Sequence, residues 1–297
     1  VTQSTPEATA TLRDPLVLER VLELADQGEE DVFTGPSAPM PTGLVYGGQL
    51  VAQAVIAAHR TIGTGRIVHS VHASFLRPAR SDADVGYRVV RLTEGRSYAV
   101  RRVDAHQDGL VFTATVSFQH PEQSAVHAQR LTAAVPRPHT LPNIAERFAG
   151  RDDPTSRIWQ TERGFDLRLV DDIPAAGDVV DGPSRGLWFR SRLPLGEDEV
   201  RHRAAIAYAS DFGLLHVTLV PQGRRATDLG LRMVSLDHAL WLYEPARADE
   251  WLLFVQSPVS ARSARGLAVG RIYREDGVLV ALCVQEGVIR HPSDKDN

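Results

Sequence analysis

Two stretches of the chain repeat one pattern of apolar and polar positions. Residues 46–60 are rich in Ala, Val, Leu and Gln, contain no proline and open on Gly47-Gly48, which predicts a buried helix. Four strand-like segments follow, at 66–77, 84–93, 96–107 and 110–120. Residues 203–215 predict a second helix, and 230–243, 251–260, 266–275 and 278–289 predict four further strands. Asp108-Gly109 and Asp276-Gly277 mark tight turns, because glycine accepts positive φ. Gly95-Arg96 and Ala264-Arg265-Gly266 mark the turns before them. Tyr87, Val89 and Arg91 alternate with Arg88, Val90 and Leu92, too apolar a mixture for an exposed sheet. A helix followed by an antiparallel meander predicts a curved sheet wrapped around that helix, twice over.

The matches are ordered and keep a nearly constant separation. Tyr98-Ala-Val corresponds to Leu267-Ala-Val, and Asp108-Gly109-Leu110-Val111 to Asp276-Gly277-Val278-Leu279. His72-Ala73-Ser74-Phe75-Leu76 corresponds to His238-Ala239-Leu240-Trp241-Leu242, with Pro-Ala-Arg after each. Tyr46-Gly-Gly-Gln-Leu corresponds to Tyr208-Ala-Ser-Asp-Phe. So long a period means two copies of a whole domain and not a solenoid. The first copy, with a leading helix at 15–26 that carries Leu16, Leu18, Val21, Leu22 and Leu24, takes residues 1–120. Residues 121–164, broken by Pro121, Pro136, Pro138, Pro142 and Pro154, read as a linker with a short helix near 141–149. Residues 165–297 form the second copy, with leading strands at 166–170 and 186–192.

Composition narrows the class. Hydrophobic residues at 43% supply ample core for a chain of 297 residues, and a net charge of −4 gives no pull toward nucleic acid or anionic membranes. The one cysteine, Cys283, excludes an intramolecular disulfide framework and a cysteine-rich zinc site. No integral membrane segment is expected from the apolar run 278–284, which is too short to span a bilayer. The opening Val-Thr-Gln-Ser-Thr has neither the basic start nor the apolar stretch of a signal peptide, and the closing Asp-Lys-Asp-Asn carries no prenylation or peroxisomal tail. A cytoplasmic home is the expectation. No Walker loop, His-Glu-x-x-His or dinucleotide glycine fingerprint occurs, since Gly63-Thr64-Gly65 lacks the third glycine.

A helix wrapped by an antiparallel sheet, present twice in one chain, looks like the double hot-dog arrangement, an α+β fold. Particular segments go further. Val68-His69-Ser70-Val71-His72-Ala73-Ser74-Phe75-Leu76-Arg77-Pro78, Ala207-Tyr208-Ala209-Ser210-Asp211, Ser235-Leu236-Asp237-His238-Ala239-Leu240-Trp241, Asp276-Gly277-Val278-Leu279-Val280 and Val284-Gln285-Glu286-Gly287 together resemble the type II acyl-CoA thioesterases, the TesB-like family. The likeness runs from about Pro15 to Arg290. It implies hydrolysis of a fatty acyl-CoA to free fatty acid and CoA, with no cofactor, metal or covalent intermediate. The family's catalytic Asp, Thr or Ser, and Gln carry over onto Asp211, Ser235 and Gln285; serine at 235 keeps the hydroxyl and loses a methyl. Further association of such folds into homo-oligomers is also expected.

The residues suit that chemistry. A carboxylate at Asp211 could orient a water and accept its proton, while the Ser235 hydroxyl and Gln285 amide hold the same water. Backbone N–H groups near a helix start would polarise the carbonyl. Gln49 matches Asp211 and Ser117 matches Gln285, so only the second copy is expected to supply acid–base chemistry. Each residue also has a plainer reading. An Asp after Ser near a helix start is ordinarily a cap, and polar residues on strands ordinarily serve the sheet or solvent. Ser235 with Asp237 and His238 invites a hydrolase triad, but neighbours on one strand point to opposite faces. Cys283 is expected to be a small core residue. Arg262, Ser263, Arg265 and Gly266 could grip the phosphates or pantetheine of CoA, the alternative being solvated turn charges. Phe75, Leu76, Trp241 and Leu242 could wall an acyl channel, core packing being the default. Two rivals remain: a hot-dog enoyl-CoA hydratase, whose Asp and His spacing Asp211 and His216 do not match, and a non-catalytic acyl-CoA-binding protein.

Overall fold

The computed structural model describes residues 16–173, 184–226, 228 and 230–290. Both chain termini, and with them the expectations about targeting segments and the start of the leading helix at Pro15, lie outside the described residues. Among the described residues thirteen strands form one antiparallel sheet. The first half contributes α1 (Val17–Leu22), β1 (Ala25–Asp26), β2 (Val32–Gly35), α2 (Gly47–His59), β3 (Ile67–Phe75), β4 (Val85–Glu94), β5 (Tyr98–His106) and β6 (Leu110–Gln119). The second half contributes β7 (Phe165–Ile173), β8 (Ser184–Ser191), α5 (Glu199–Ala209), β9 (Arg232–Ser235), β10 (Asp237–Leu242), β11 (Leu252–Arg262), β12 (Arg265–Arg274) and β13 (Leu279–Arg290). The strands run β1-β2-β4-β5-β6-β3-β10-β13-β12-β11-β8-β7, with β9 beside β13. The half-sheets join at β3 and β10, where Val71 stands opposite Leu240. This is the α+β double hot-dog the sequence predicts.

Each half-sheet closes on a helix. In α2 every residue from Gly48 to Ala58 is buried, so its helical moment is weak because it has no wet face. The second half departs from expectation. The helix expected at 203–215 starts earlier, at Glu199, where Asp198 accepts a hydrogen bond from the Val200 amide, and it stops at Ala209. A nine-residue 3-10 helix, Leu214–Gln222, then packs against β11, β12 and β13 in the place α2 occupies in the first half. Pro221 removes a donor and clashes with α winding, and Gly213 and Gly223 reverse the chain at either end with φ of 62° and 65°. Helix α5 lies instead against α2, at the centre of the molecule. The helical run Glu199–Gln222 is long and apolar enough to cross a bilayer, yet 78% of its most apolar window is buried in this core.

Two other expectations change. The strand at 230–243 is split, because β9 turns away at Leu236 to pair with β13 alone while β10 joins β3. Residues 121–164 contain a capping-boxed turn of helix, α3 (Ile144–Arg147), and α4 (Pro154–Gln160). This segment docks on the second half: the Trp188 Nε1–H donates to the Pro136 carbonyl at 2.9 Å, and Leu131 and Val135 cover Trp188, Leu253 and Tyr273.

Candidate active site

Asp211 sits in the turn between α5 and the 3-10 helix. Tyr208 and Ala209 therefore end one helix and precede another, where the sequence suggested a simple helix start. Ser235 ends β9 opposite Gly287, two residues from Gln285 on β13, which puts their side chains diagonally on one face. The structure brings all three together. One Gln285 Nε2 proton goes to Asp211 Oδ1 at 2.8 Å and the other to Ser235 Oγ at 2.6 Å. Ser235 accepts there, so its own proton is left to point elsewhere. The second carboxylate oxygen, Oδ2, accepts from the backbone N–H of Gly48 at 2.9 Å.

That last bond comes from the other half. Tyr46, the residue before α2, offers no side-chain cap, and Asp211 supplies a carboxylate to the first turn of α2 across the interface. The plain reading of Asp211 as a cap is thus fulfilled in the partner repeat, where the helix N-terminus favours an anion. Glycine is required here by close approach. A Cβ on Gly47 would stand 2.8 Å from Asp211 Oδ2, and one on Gly48 would stand 2.2 Å from the Tyr208 carbonyl oxygen. Burial pushes the Asp211 carboxyl up to about 6, against the opposing pull of Gln285, the Gly48 amide and the Arg163 cation.

Sheet register corrects the matching of the copies. The equivalent buried residues Ala99 and Ala268 face Phe118 and Gln285 across their ladders, so the counterpart of Gln285 is Phe118 and not Ser117. The matched histidines also part company, since His72 points outward against Trp241 while His238 is buried. Gln49 is buried and fully occupied: its Oε1 accepts from the Ala38 amide at 3.0 Å, and its Nε2 donates to Pro36 and Gln53. The first half therefore fills this place with a phenylalanine and a structural amide. Gln49→Ala is expected to cost about 1–3 kcal/mol in a urea melt, by stranding the Ala38 N–H, and to leave kcat close to wild type. Loss of turnover as complete as that of Asp211→Ala would show that both copies act.

Asp211 and Ser235 line a cavity of about 160 Å³ with Tyr46, Trp159, Arg163, His216 and Met233 among its walls. Sequence reasoning missed these walls; Trp159 and Arg163 come from the stretch expected to be linker, where nothing distinguishes them. Of the expected acyl-channel residues none lines this cavity: Trp241 stands on the outer sheet face, Leu242 is core and Leu76 is exposed. Arg262, Ser263 and Arg265 are exposed at the β11–β12 turn, with Arg265 on Glu286 at 3.0 Å. Gly266 is buried because a Cβ would meet Ile289 and Thr218. The turn lies at the same end of the sheet as Ser235, since Gly266 faces Gly287, which faces Ser235.

Other nucleophiles and bases are held inactive. Burial and the Asp211 charge push the Cys283 thiol up, and burial pulls His238 down to about 4 and His216 to about 3. The His238 Nε2 lies 2.8 Å from Ser210 Oγ, so the histidine braces the turn that carries Asp211 and does not face a nucleophilic Ser235.

Comparison with known proteins identifies the family of this double hot-dog chain. Residues 36–119 match the family model described as Acyl-CoA thioesterase N-terminal domain, and residues 121–289 that described as Acyl-CoA thioesterase C-terminal domain. The chain belongs to the type II acyl-CoA thioesterases and hydrolyses acyl-CoA thioesters. It is 34% identical to acyl-coenzyme A thioesterase 8 of Homo sapiens over 88% of this chain and 85% of that protein. It is 31% identical to acyl-CoA thioesterase 2 of Haemophilus influenzae over 87% and 92%. The crystal structure of the acyl-CoA thioesterase II TesB2 from Mycobacterium marinum superposes with a TM-score of 0.77 at 34% identity, covering 93% of this chain and 99% of that one.

Proposed function

We propose that Asp211 is the general base of thioester hydrolysis, acting on a water that it shares with Ser235, while Gln285 holds both groups in register. The observation that carries this reading is the carboxylate fixed by Gln285 and the Gly48 amide at the edge of a cavity that Ser235 also lines. Water adds to the thioester carbon, its proton passes to Asp211, and collapse of the adduct expels CoA thiolate, which recovers that proton. The overall change is acyl-CoA plus water to carboxylic acid plus CoA thiol. A base must be ionised, so activity rises with pH through the Asp211 transition. We expect kcat/KM for a saturated acyl-CoA, followed by thiol release, to show an acid limb near pH 6. A profile flat down to about pH 4, or hydration of crotonyl-CoA without thiol release, would overturn the assignment.

The exposed arginines and Ser263 of the β11–β12 turn are our candidates for the CoA end of the substrate, supported by their position at the same end of the sheet as Ser235. Self-association is supported by exposed Tyr98 and Tyr243, at 55% and 59% exposure.

A further inference from the structure

Among the described residues three arginines are almost wholly buried, and two of them are fully accounted for. Arg101 pairs with Glu94 and donates to Thr61 and to the Thr93 carbonyl. Arg203 pairs with Glu199 at 2.7 Å and donates to the Val68 carbonyl. Arg163 is different. It is 4% exposed, it has no carboxylate within ion-pair distance among the described residues, and its one side-chain hydrogen bond there is from Nη2 to the Ile158 carbonyl at 3.3 Å. Its Nε is buried without a partner. The neighbouring Glu162 is engaged by Arg192 and by the amides of Arg163 and Gly164. What holds the guanidinium is aromatic: it lies over Phe212 at 4.7 Å, Tyr46 at 5.4 Å and Trp159 at 5.9 Å.

A buried cation without a counterion costs several kcal/mol, and cation–π contacts return only part of that. Asp211, whose ionised form the Arg163 charge favours, stays beyond ion-pair distance, so the Nε–H and the remaining guanidinium N–H groups are left for the substrate to meet. Arg163 lines the same cavity as Asp211 and Ser235. The backbone N–H nearest the carboxylate, that of Gly48, is spent on Asp211 and cannot serve the carbonyl oxygen. Asp211 and Gln285 are likewise committed to each other.

We propose that Arg163 is a further residue of the catalytic site, whose guanidinium receives the negative charge that develops on the thioester carbonyl oxygen as water adds. The inference rests on the roles proposed above for Asp211 and Ser235. As the carbon–water bond forms, the carbonyl π pair moves onto oxygen, and a fixed cation in a water-poor cavity stabilises that charge far better than solvent does. The pair returns to the carbonyl when the carbon–sulfur bond breaks. An interaction that exists only with the adduct appears in kcat and leaves KM nearly untouched. Arg163 also helps keep Asp211 ionised, so removing its charge moves the acid limb. The titratable and charged groups around the pair include Tyr46, Tyr208, His216, His238, Cys283, Glu162 and Arg185, whose Nη2 donates to the Gly213 carbonyl at 2.9 Å. Burial keeps the tyrosines and the thiol protonated and the two histidines neutral.

The test uses the full chain and a saturated acyl-CoA, with Arg163→Met, Arg163→Gln, Arg163→Lys and Asp211→Asn side by side. The uncharged variants are expected to lose about 10²-fold or more in kcat with KM within a few-fold, and their acid limb to move above that of wild type. Lysine restores part of the loss, because it keeps charge without the planar fork. Folded uncharged variants with wild-type kcat, or a rise in KM alone, overturn the inference. If neither uncharged variant folds, a lysine variant whose whole loss lies in KM overturns it as well. A normal Asp211→Asn enzyme would instead sink the reading of the whole site, whereas an inactive one beside a normal Arg163→Met sinks only this inference.

Discussion

Replacing Asp211 by asparagine is expected to lower kcat by about 10²–10⁴-fold, with KM changed only a few-fold. The amide keeps the shape of the carboxylate and can still accept the Gly48 N–H, so the link between the halves survives. It cannot take a proton from water. It also turns an NH₂ toward one of its two donors, because Gln285 Nε2 and the Gly48 N–H approach opposite oxygens. The residual rate should lose its acid limb near pH 6, since the titrating group is gone. Thiol release measured from about pH 5 to about pH 9 reads both effects. A variant within tenfold of wild type would mean that another base does the work. Neither His216 nor Cys283 is a ready substitute, as burial pulls the first down to about 3, which makes it a weak base, and holds the second protonated.

Gly48→Ala is expected to do nearly as much harm without replacing any of the three proposed catalytic side chains. The new Cβ would stand 2.2 Å from the Tyr208 carbonyl oxygen and 2.6 Å from the Tyr46 ring. Backbone on one side and a packed ring on the other leave it no room. Relief requires moving α2 away from the end of α5, at about 1–3 kcal/mol of overpacking. The same movement withdraws the N–H from Asp211, and misplacement by about 1 Å costs about 10²-fold in rate. A lower melting temperature together with a kcat loss of that size is the expected pair of results. Gly63→Ala serves as the control, because its Cβ would meet only the flexible tip of Arg66 at 3.9 Å. Equal effects from the two substitutions would show that the close approach at Gly48 is not what matters.

The parts of the fold that were legible in the sequence are those written locally. The buried helix α2 follows from an unbroken apolar run, and the meanders follow from alternation and from Asp108-Gly109, where both residues take positive φ. The trio was legible because its three members fall in recognisable segments. What was not legible depends on distant groups. The amide that binds Asp211 belongs to the other repeat, and Arg163 is distinguished only by the counterion it lacks. The matching of Ser117 to Gln285 failed for a geometric reason. Turns absorb a residue without trace, and in a strand a slip of one residue exchanges the inner and outer faces. Ladder pairing restores the register and puts Phe118 there.

The 3-10 winding of Leu214–Gln222 has a consequence in length and girth. At a rise of about 2.0 Å its nine residues reach about 18 Å. The thirteen residues of α2, rising about 1.5 Å each, reach about 20 Å. The two rods thus span their sheets almost equally, but the one with three residues per turn is slimmer. The slack it leaves at Leu214, Leu215 and His216 is one wall of the catalytic cavity. Rewound as an α-helix, the same segment would be thicker and only about 14 Å long. One change of helical pitch accompanies the cavity at Asp211, whereas in the first half α2 is buried along its whole length from Gly48 to Ala58.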